Sequence, residues 1–148
     1  MRSRGRVQWC EALRSSKVLG SIVREGKRAL KGADAEKVSL DAACSVALDD
    51  DGPSSAPGEK RWDYVLVERA SSSAHAVEIH TATPGDVKDM IAKKAWAERL
   101  LAEECPGHAI SKWHWVARTR VDFPKHRLRE RELLRKAGIE FPQERIGL

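Results

Sequence analysis

Residues 61–85, RWDYVLVERASSSAHAVEIHTATPG, constrain the fold more than any other stretch of the chain. Two runs rich in β-branched and aromatic residues, 62–69 and 75–82, are separated by a short segment of small residues, and this pattern predicts a β-hairpin. A threonine then precedes Pro84, which predicts a helix that starts at Pro84 and runs to about Cys105. A hairpin followed directly by a helix favours a sheet covered by helices.

Apolar periodicity elsewhere predicts elements on both sides of this hairpin. They are a helix over about 7–31 ending at Gly32, a strand or broken apolar segment over 38–48, a strand over 111–119, and a strongly basic helix that begins at Asp122 and Pro124, runs to about Lys136 and ends at Gly138. The polar stretch 49–60 is expected to be a flexible loop, and 119–148 a basic C-terminal helix and tail. The order α-β-β-β-α-β-α predicts a single α/β domain over 1–148, with a mixed central sheet of about four strands flanked by helices.

The predicted hairpin carries charged residues where apolar ones are expected. Asp63 lies in the first run, and Glu78 and His80 lie in the second. Ionised carboxylates lose hydration in a half-buried hairpin unless a cation or hydrogen bonds replace it. If Asp63 pairs with Glu78 or His80 across the hairpin, the three side chains share one face, whereas a one-residue slip separates them. In the shared register, the two carboxylates and the Ile79 backbone carbonyl could hold Mg²⁺ or Mn²⁺, which take oxygen ligands.

The segments RWDYVLV and VEIH, with this order of elements, resemble the PD-(D/E)XK nuclease superfamily over about residues 7–118. Asp63 matches the acid that opens the second strand, and Glu78 matches the second acid of the family's pattern. The resemblance implies a restriction-endonuclease-like fold and Mg²⁺- or Mn²⁺-dependent hydrolysis of phosphodiester bonds, with DNA a more probable substrate than RNA. His80 stands where the family has lysine, so the resemblance requires histidine to do the work of lysine or another lysine to reach the site.

Several candidates can supply the missing function. His80 can act as a base, or as a cation below its reference pKa of about 6.5. Lys88, one turn into the following helix, is the nearest substitute lysine in sequence, and Glu11 on the first helix resembles the first-helix acid of some family members. In the structural alternative, Asp63 caps or forms a salt bridge at a strand start, and the other two pair with arginines on a solvated face.

The charge distribution indicates an anionic partner. The net charge is +5, and both 1–31 and 118–136 are rich in Lys and Arg. Lys125, Arg127 and Arg131 of the last helix are candidates for contacts with DNA phosphates, although an ordinary solvated helix face fits the same pattern. The Trp113–Trp115 segment is interpreted as core rather than as a platform for stacked bases.

The remaining composition bears on compartment and partners. Cys10, Cys44 and Cys105 are widely spaced without a CxxC pair, so buried free thiols are expected rather than a disulfide framework or a zinc site. The scattered histidines His75, His108 and His126 are expected at the surface. The basic N-terminus lacks the apolar region of a signal peptide and no run is long enough to span a membrane, so a cytoplasmic protein is expected. A protein partner or a homodimer is compatible with the sequence.

Three functions are compatible with these observations. The first is a small metal-dependent nuclease in which Asp63 and Glu78 bind the metal and His80 takes the lysine position. The second keeps the same fold as a catalytically inactive nucleic-acid-binding or protein-interaction module. The third is a toxin-like or defence-associated protein that acts only with a partner.

Overall fold

A five-stranded mixed sheet organises the structure, a computed structural model that describes residues 8–49 and 59–147. Its strands are β1 (Arg24–Glu25), β3 (Ala42–Ala47), β4 (Tyr64–Glu68), β5 (Ala74–Ala82) and β6 (Lys112–Val121). The spatial order is β1-β3-β4-β5-β6, in which only β5 and β6 run parallel. Two short strands, β2 (Val38–Ser39) and β7 (Ile146–Gly147), form a separate parallel pair.

Four helices accompany the sheet: α1 (Gln8–Ser15), α2 (Gly32–Glu36), α3 (Val87–Glu104) and α4 (Leu128–Ala137). A 3₁₀ turn at Pro84–Asp86 precedes α3, and Thr83 and Asp86 form a capping box there. Helix α4 ends at Gly138, whose φ of 75° is the left-handed conformation that glycine adopts without steric cost. None of the helices in the described ranges has the length and apolar character needed to cross a membrane.

Apolar side chains cover both faces of the sheet. On one face, Trp9 and Leu13 of α1 and Met90 of α3 are buried against the strands. On the other face, Leu30 and Ile146 are buried against side chains that include Leu66 of β4. Helices α1 and α3 on one face, and the segments that carry Leu30 and Ile146 on the other, therefore enclose the interior strands β4 and β5 in a nonpolar environment.

The hairpin, the helix after it and the strand after that helix are confirmed. Strands β4 and β5 match the predicted runs to within two residues at each end, α3 begins after Pro84 and ends one residue before Cys105, and β6 spans 112–121 where 111–119 was predicted. Trp113 and Trp115 of β6 are only 7% and 1% exposed, which confirms the core interpretation of that segment. Residues 50–58 of the predicted loop lie outside the described residues.

The predicted helix over 7–31 is wrong. Helix α1 ends at Ser15, and the chain then turns so tightly that a β-carbon at Gly20 would lie 2.5 Å from the Arg14 carbonyl oxygen. Leu19 packs on one face of the sheet and Leu30 on the other. The helix-like spacing of apolar residues over 7–31 therefore comes from a segment that crosses the edge of the sheet. This segment contributes β1, which makes five strands instead of four, and Gly32 begins α2 instead of ending a helix.

Three further expectations are corrected by tertiary contacts. Cys10 of α1 and Cys44 of β3 form a disulfide, and Cys105 is the free, buried cysteine. His75 is buried rather than exposed, because its Nδ1 lies 3.0 Å from Nε2 of His114 on the neighbouring strand. The last helix begins at Leu128 rather than near Pro124.

Candidate active site around Asp63 and Glu78

The register of the hairpin brings the two predicted acids together. Tyr64 lies opposite Val77 in the antiparallel β4–β5 pair, so Asp63 lies opposite Glu78 one residue further along. The Asp63 N–H donates to Glu78 Oε1 at 2.8 Å, and the Ile79 N–H donates to Asp63 Oδ2 at 2.9 Å. Each carboxylate therefore accepts a hydrogen bond from the backbone of the other strand segment, which holds both acids at one edge of the hairpin.

Glu78 is buried and forms an ion pair with a lysine from α3. The residue is 1% exposed, and its Oε2 lies 2.7 Å from Nζ of Lys93. Burial, followed by repulsion from Asp63, raises the pKa of Glu78 to about 8, and Lys93 opposes that rise. Glu78 is therefore harder to ionise than an exposed glutamate, even with Lys93 beside it.

Sequence reasoning missed Lys93. It lies three residues after Met90 and four before Ala97, and both of these residues are fully buried. Residues at these spacings lie on one face of a helix, so the signal was a lysine inside the apolar stripe that faces the sheet. Lys88, the predicted substitute, is exposed.

Asp63 lines a cavity beside the hairpin with a volume of about 580 Å³. Its lining includes two further acids, Asp34 and Asp49, and the positively charged Arg118 of β6. Burial is the main cause of the raised pKa of Asp63, and Asp49 and Asp34 raise it further. The cavity therefore places a half-buried carboxylate where a ligand of moderate size can reach it.

The Ile79 carbonyl, the third predicted metal ligand, is already hydrogen-bonded. Arg118 Nη2 donates to this oxygen at 3.2 Å. Arg118 comes from β6, the parallel neighbour of β5, two residues beyond Val116, which lies opposite Ile79. Two of the three predicted ligands therefore have a cation of the chain as partner, Lys93 on Glu78 and Arg118 on the Ile79 carbonyl, and their role as metal ligands stays a prediction.

His80 is directed toward the start of α3. Its Nδ1 lies 3.0 Å from the Thr81 carbonyl oxygen and 3.7 Å from Asp86 Oδ1. Asp86 also accepts from Thr83 in the capping box, so His80 contacts the structure that starts the helix. Glu11 is exposed on α1.

A hard divalent cation fits the donors at this edge. Asp63, Glu78 and the Ile79 carbonyl are oxygen ligands, and the mutual repulsion that contributes to the raised pKa of Glu78 would be relieved by a cation. Within residues 8–49 and 59–147, no group of three or more His, Cys, Asp or Glu side chains is placed to hold a metal ion. A metal here would therefore depend on the backbone carbonyl and on water or substrate oxygens.

Comparisons of the chain with known protein families, curated proteins and solved structures find no match. A function for this chain therefore has to be argued from the geometry of the site itself.

The three residues predicted to contact DNA differ in their surroundings. Lys125 is exposed, and Arg127 forms a bidentate ion pair with Glu130, with both distances 3.1 Å. The Arg131 guanidinium lies 4.3 Å from the centre of the Phe141 ring, and its buried Nε has no hydrogen-bond partner in the described part of the chain. Arg131 therefore packs on an aromatic ring, while Lys125 and Arg127 face solvent.

Proposed function

We propose that this protein is a metal-dependent nuclease of the PD-(D/E)XK type that hydrolyses phosphodiester bonds of DNA. The observation that carries the proposal is the register that sets Asp63 opposite Glu78, with Lys93 Nζ 2.7 Å from the glutamate. The mixed sheet, with its meander followed by α3 and a parallel β6, supports a restriction-endonuclease-like fold.

Asp63, Glu78 and the Ile79 carbonyl would hold Mg²⁺ or Mn²⁺ in this proposal. The metal, when bound, supplies polarisation of the phosphodiester and lowers the pKa of a bound water. Lys93 keeps the Glu78 carboxylate oriented and provides the positive point charge that the family pattern places two residues after the second acid. His80, whose Nδ1 faces the start of α3, is the second candidate for that position.

Cleavage assays on duplex and single-stranded DNA with Mg²⁺ or Mn²⁺ test the assignment. Asp63→Asn and Lys93→Met should each lower the rate by about 10²–10³-fold, because each removes a charge aimed at the reacting groups. Lys94→Met is the matched control, since Lys94 is adjacent in sequence but pairs with Glu98 at 3.1 Å, and it should retain the wild-type rate.

His80→Ala belongs in the same assays. A rate close to that of wild type would assign the lysine role to Lys93, whereas a loss of 10²-fold or more with Lys93→Met unaffected would assign it to His80. Absence of metal-dependent cleavage of any nucleic acid by the wild-type protein would overturn the nuclease proposal.

A second candidate function is a nucleic-acid-binding or protein-interaction module without catalysis. Its support is that both Glu78 oxygens have partners inside the protein, Asp63 N–H on Oε1 and Lys93 on Oε2. A carboxylate closed in this way can serve as a structural ion pair. Calorimetry with Mn²⁺ separates the two functions: no binding to either wild type or Asp63→Asn would favour the module.

A further inference from the structure

Two cations of the chain itself occupy acceptors that a metal would need. Lys93 binds Glu78 Oε2, and Arg118 binds the Ile79 carbonyl oxygen from the side of the cavity. Lys93 has a role in the proposed reaction, whereas the Arg118 guanidinium has none. The Arg118 contact therefore requires its own explanation.

Arg118 differs from a structural arginine in its position. The residue is exposed and lines the same cavity as Asp63, so the guanidinium has room to move off the carbonyl. An arginine also stays protonated at every accessible pH, so only displacement can remove its charge from the site.

We propose that Arg118 competes with the divalent cation for the Ile79 carbonyl and thereby sets the metal affinity of the site. This inference rests on the proposed function. A displaced guanidinium remains beside the cavity, where its planar fork can bind a phosphate through two hydrogen bonds. Arg118 would then weaken metal binding in the free protein and contact substrate once the metal is bound.

Calorimetric titration of Mn²⁺ into wild type, Arg118→Gln and Arg69→Gln tests the competition. Arg69 is the matched control because its Nη2 also donates to a backbone carbonyl, that of Ala42 at 3.3 Å, and it follows β4 at the end opposite Asp63. Arg118→Gln should bind Mn²⁺ at least about tenfold more tightly, since it loses both a competing donor and a nearby positive charge. Arg69→Gln should bind as wild type does.

Other outcomes of these titrations separate the role of Arg118 from the existence of the metal site. Unchanged affinity in Arg118→Gln, with binding abolished by Asp63→Asn, overturns the role of Arg118 and leaves the proposed site intact. No Mn²⁺ binding in either wild type or Arg118→Gln, or binding that survives Asp63→Asn, overturns the metal site and this inference together. If Arg118→Gln does not fold, Arg118→Lys replaces it: this variant keeps the charge but loses the guanidinium fork, so affinity should rise a few-fold, and no rise would refute the competition.

Discussion

At the scale of single residues, the buried Glu78–Lys93 pair carries a large desolvation cost. Removing two charges from water costs several kcal/mol per ion, and only good geometry and additional hydrogen bonds offset that cost. Glu78 has both: the lysine lies at 2.7 Å and the Asp63 N–H at 2.8 Å. An apolar pair would fill the same space without the penalty, which is why the pair supports a functional role.

Replacing Lys93 by Met should destabilise the protein in a pH-dependent way. The pKa of Glu78 is about 8, so at pH 5 the carboxyl is protonated with or without the lysine and little pairing is lost. At pH 9 the wild-type pair is ionised, whereas the variant lacks the cation that lowers the pKa of Glu78 and keeps this carboxyl protonated, so the variant should lose about 1.4 kcal/mol more than at pH 5. Urea unfolding at both pH values measures this, with Lys94→Met as control. Equal destabilisation at pH 5 and pH 9 would contradict the assigned pKa.

The buried histidine pair should make stability sensitive to acid. His75 and His114 stack with ring centres 5.3 Å apart, and Glu68 and Lys112 are the charged groups that act on them. Burial lowers the pKa of both, that of His114 to about 4, so the folded protein keeps it neutral while the unfolded chain takes up a proton near pH 6.5. Stability is therefore lost as pH falls from 6.5 to 4, by about 3 kcal/mol for His114.

His114→Gln isolates this contribution from other acid effects. The variant cannot titrate at this position, so the difference in unfolding free energy between wild type and variant should shrink as pH falls through that window. His126→Gln, at an exposed position, should run parallel to wild type. A difference that stays constant from pH 6.5 to 4 would show that burial does not lower the pKa of His114 in the folded protein.

At the scale of elements, α4 combines charge with packing. Arg131 lies over Phe141 and within 5.6 Å of the Phe123 ring centre, so its guanidinium stabilises the C-terminal segment against the helix. Lys125 and Arg127 precede the helix, and both are exposed to solvent, unlike Arg131. Of the three residues predicted to contact DNA, Lys125 and Arg127 are therefore better placed for phosphate than Arg131.

Salt-dependent DNA binding distinguishes the two roles. If Lys125 and Arg127 contact phosphates, replacing both by Gln should make the slope of log affinity against log salt shallower by about 1.8, which is 0.9 for each lost contact. Arg131→Gln should instead lower the free energy of unfolding by about 1 kcal/mol through the lost cation–π contact, with little change in slope. Arg69→Gln controls for loss of a surface charge. An unchanged slope in the double variant would show that Lys125 and Arg127 make no phosphate contacts.

At the scale of the whole molecule, the Cys10–Cys44 disulfide joins the first helix to the sheet. The two residues are 34 positions apart, and closing a loop of that length removes conformational entropy from the unfolded chain. Disulfides are typical of oxidising compartments, so this bond is the observation that bears on the cytoplasmic location, which stays a prediction.

Reduction should destabilise the folded protein by about 4 kcal/mol on the loop-entropy scale. Thiol titration of the unreduced, denatured protein should give one reactive thiol, from Cys105, and three after reduction. Cys105→Ser should give none before reduction and keep the sensitivity of stability to reductant. Three thiols in the unreduced wild type would show that the bond does not form.

The parts of the fold that the sequence predicted correctly depend on interactions between residues near in sequence. The runs rich in β-branched and aromatic residues predicted β4 and β5, the Thr-Pro pair predicted the start of α3, and Gly138 predicted the end of α4. Backbone dihedral preferences and capping bonds involve only residues near in sequence, so these signals are local. The sequence left the register of this hairpin open, and the structure decided it by placing Asp63 opposite Glu78.

Tertiary structure alone decided the groups that complete the site. Lys93 reaches Glu78 only because α3 crosses the sheet at that point, and Arg118 reaches Ile79 only through the register of the parallel pair β5–β6. The path of 16–31 across the sheet edge and the Cys10–Cys44 bond likewise depend on the arrangement of segments far apart in sequence. Periodicity reports which side of an element is apolar, but the partner of that side is set by long-range packing, because burial of apolar surface is non-directional.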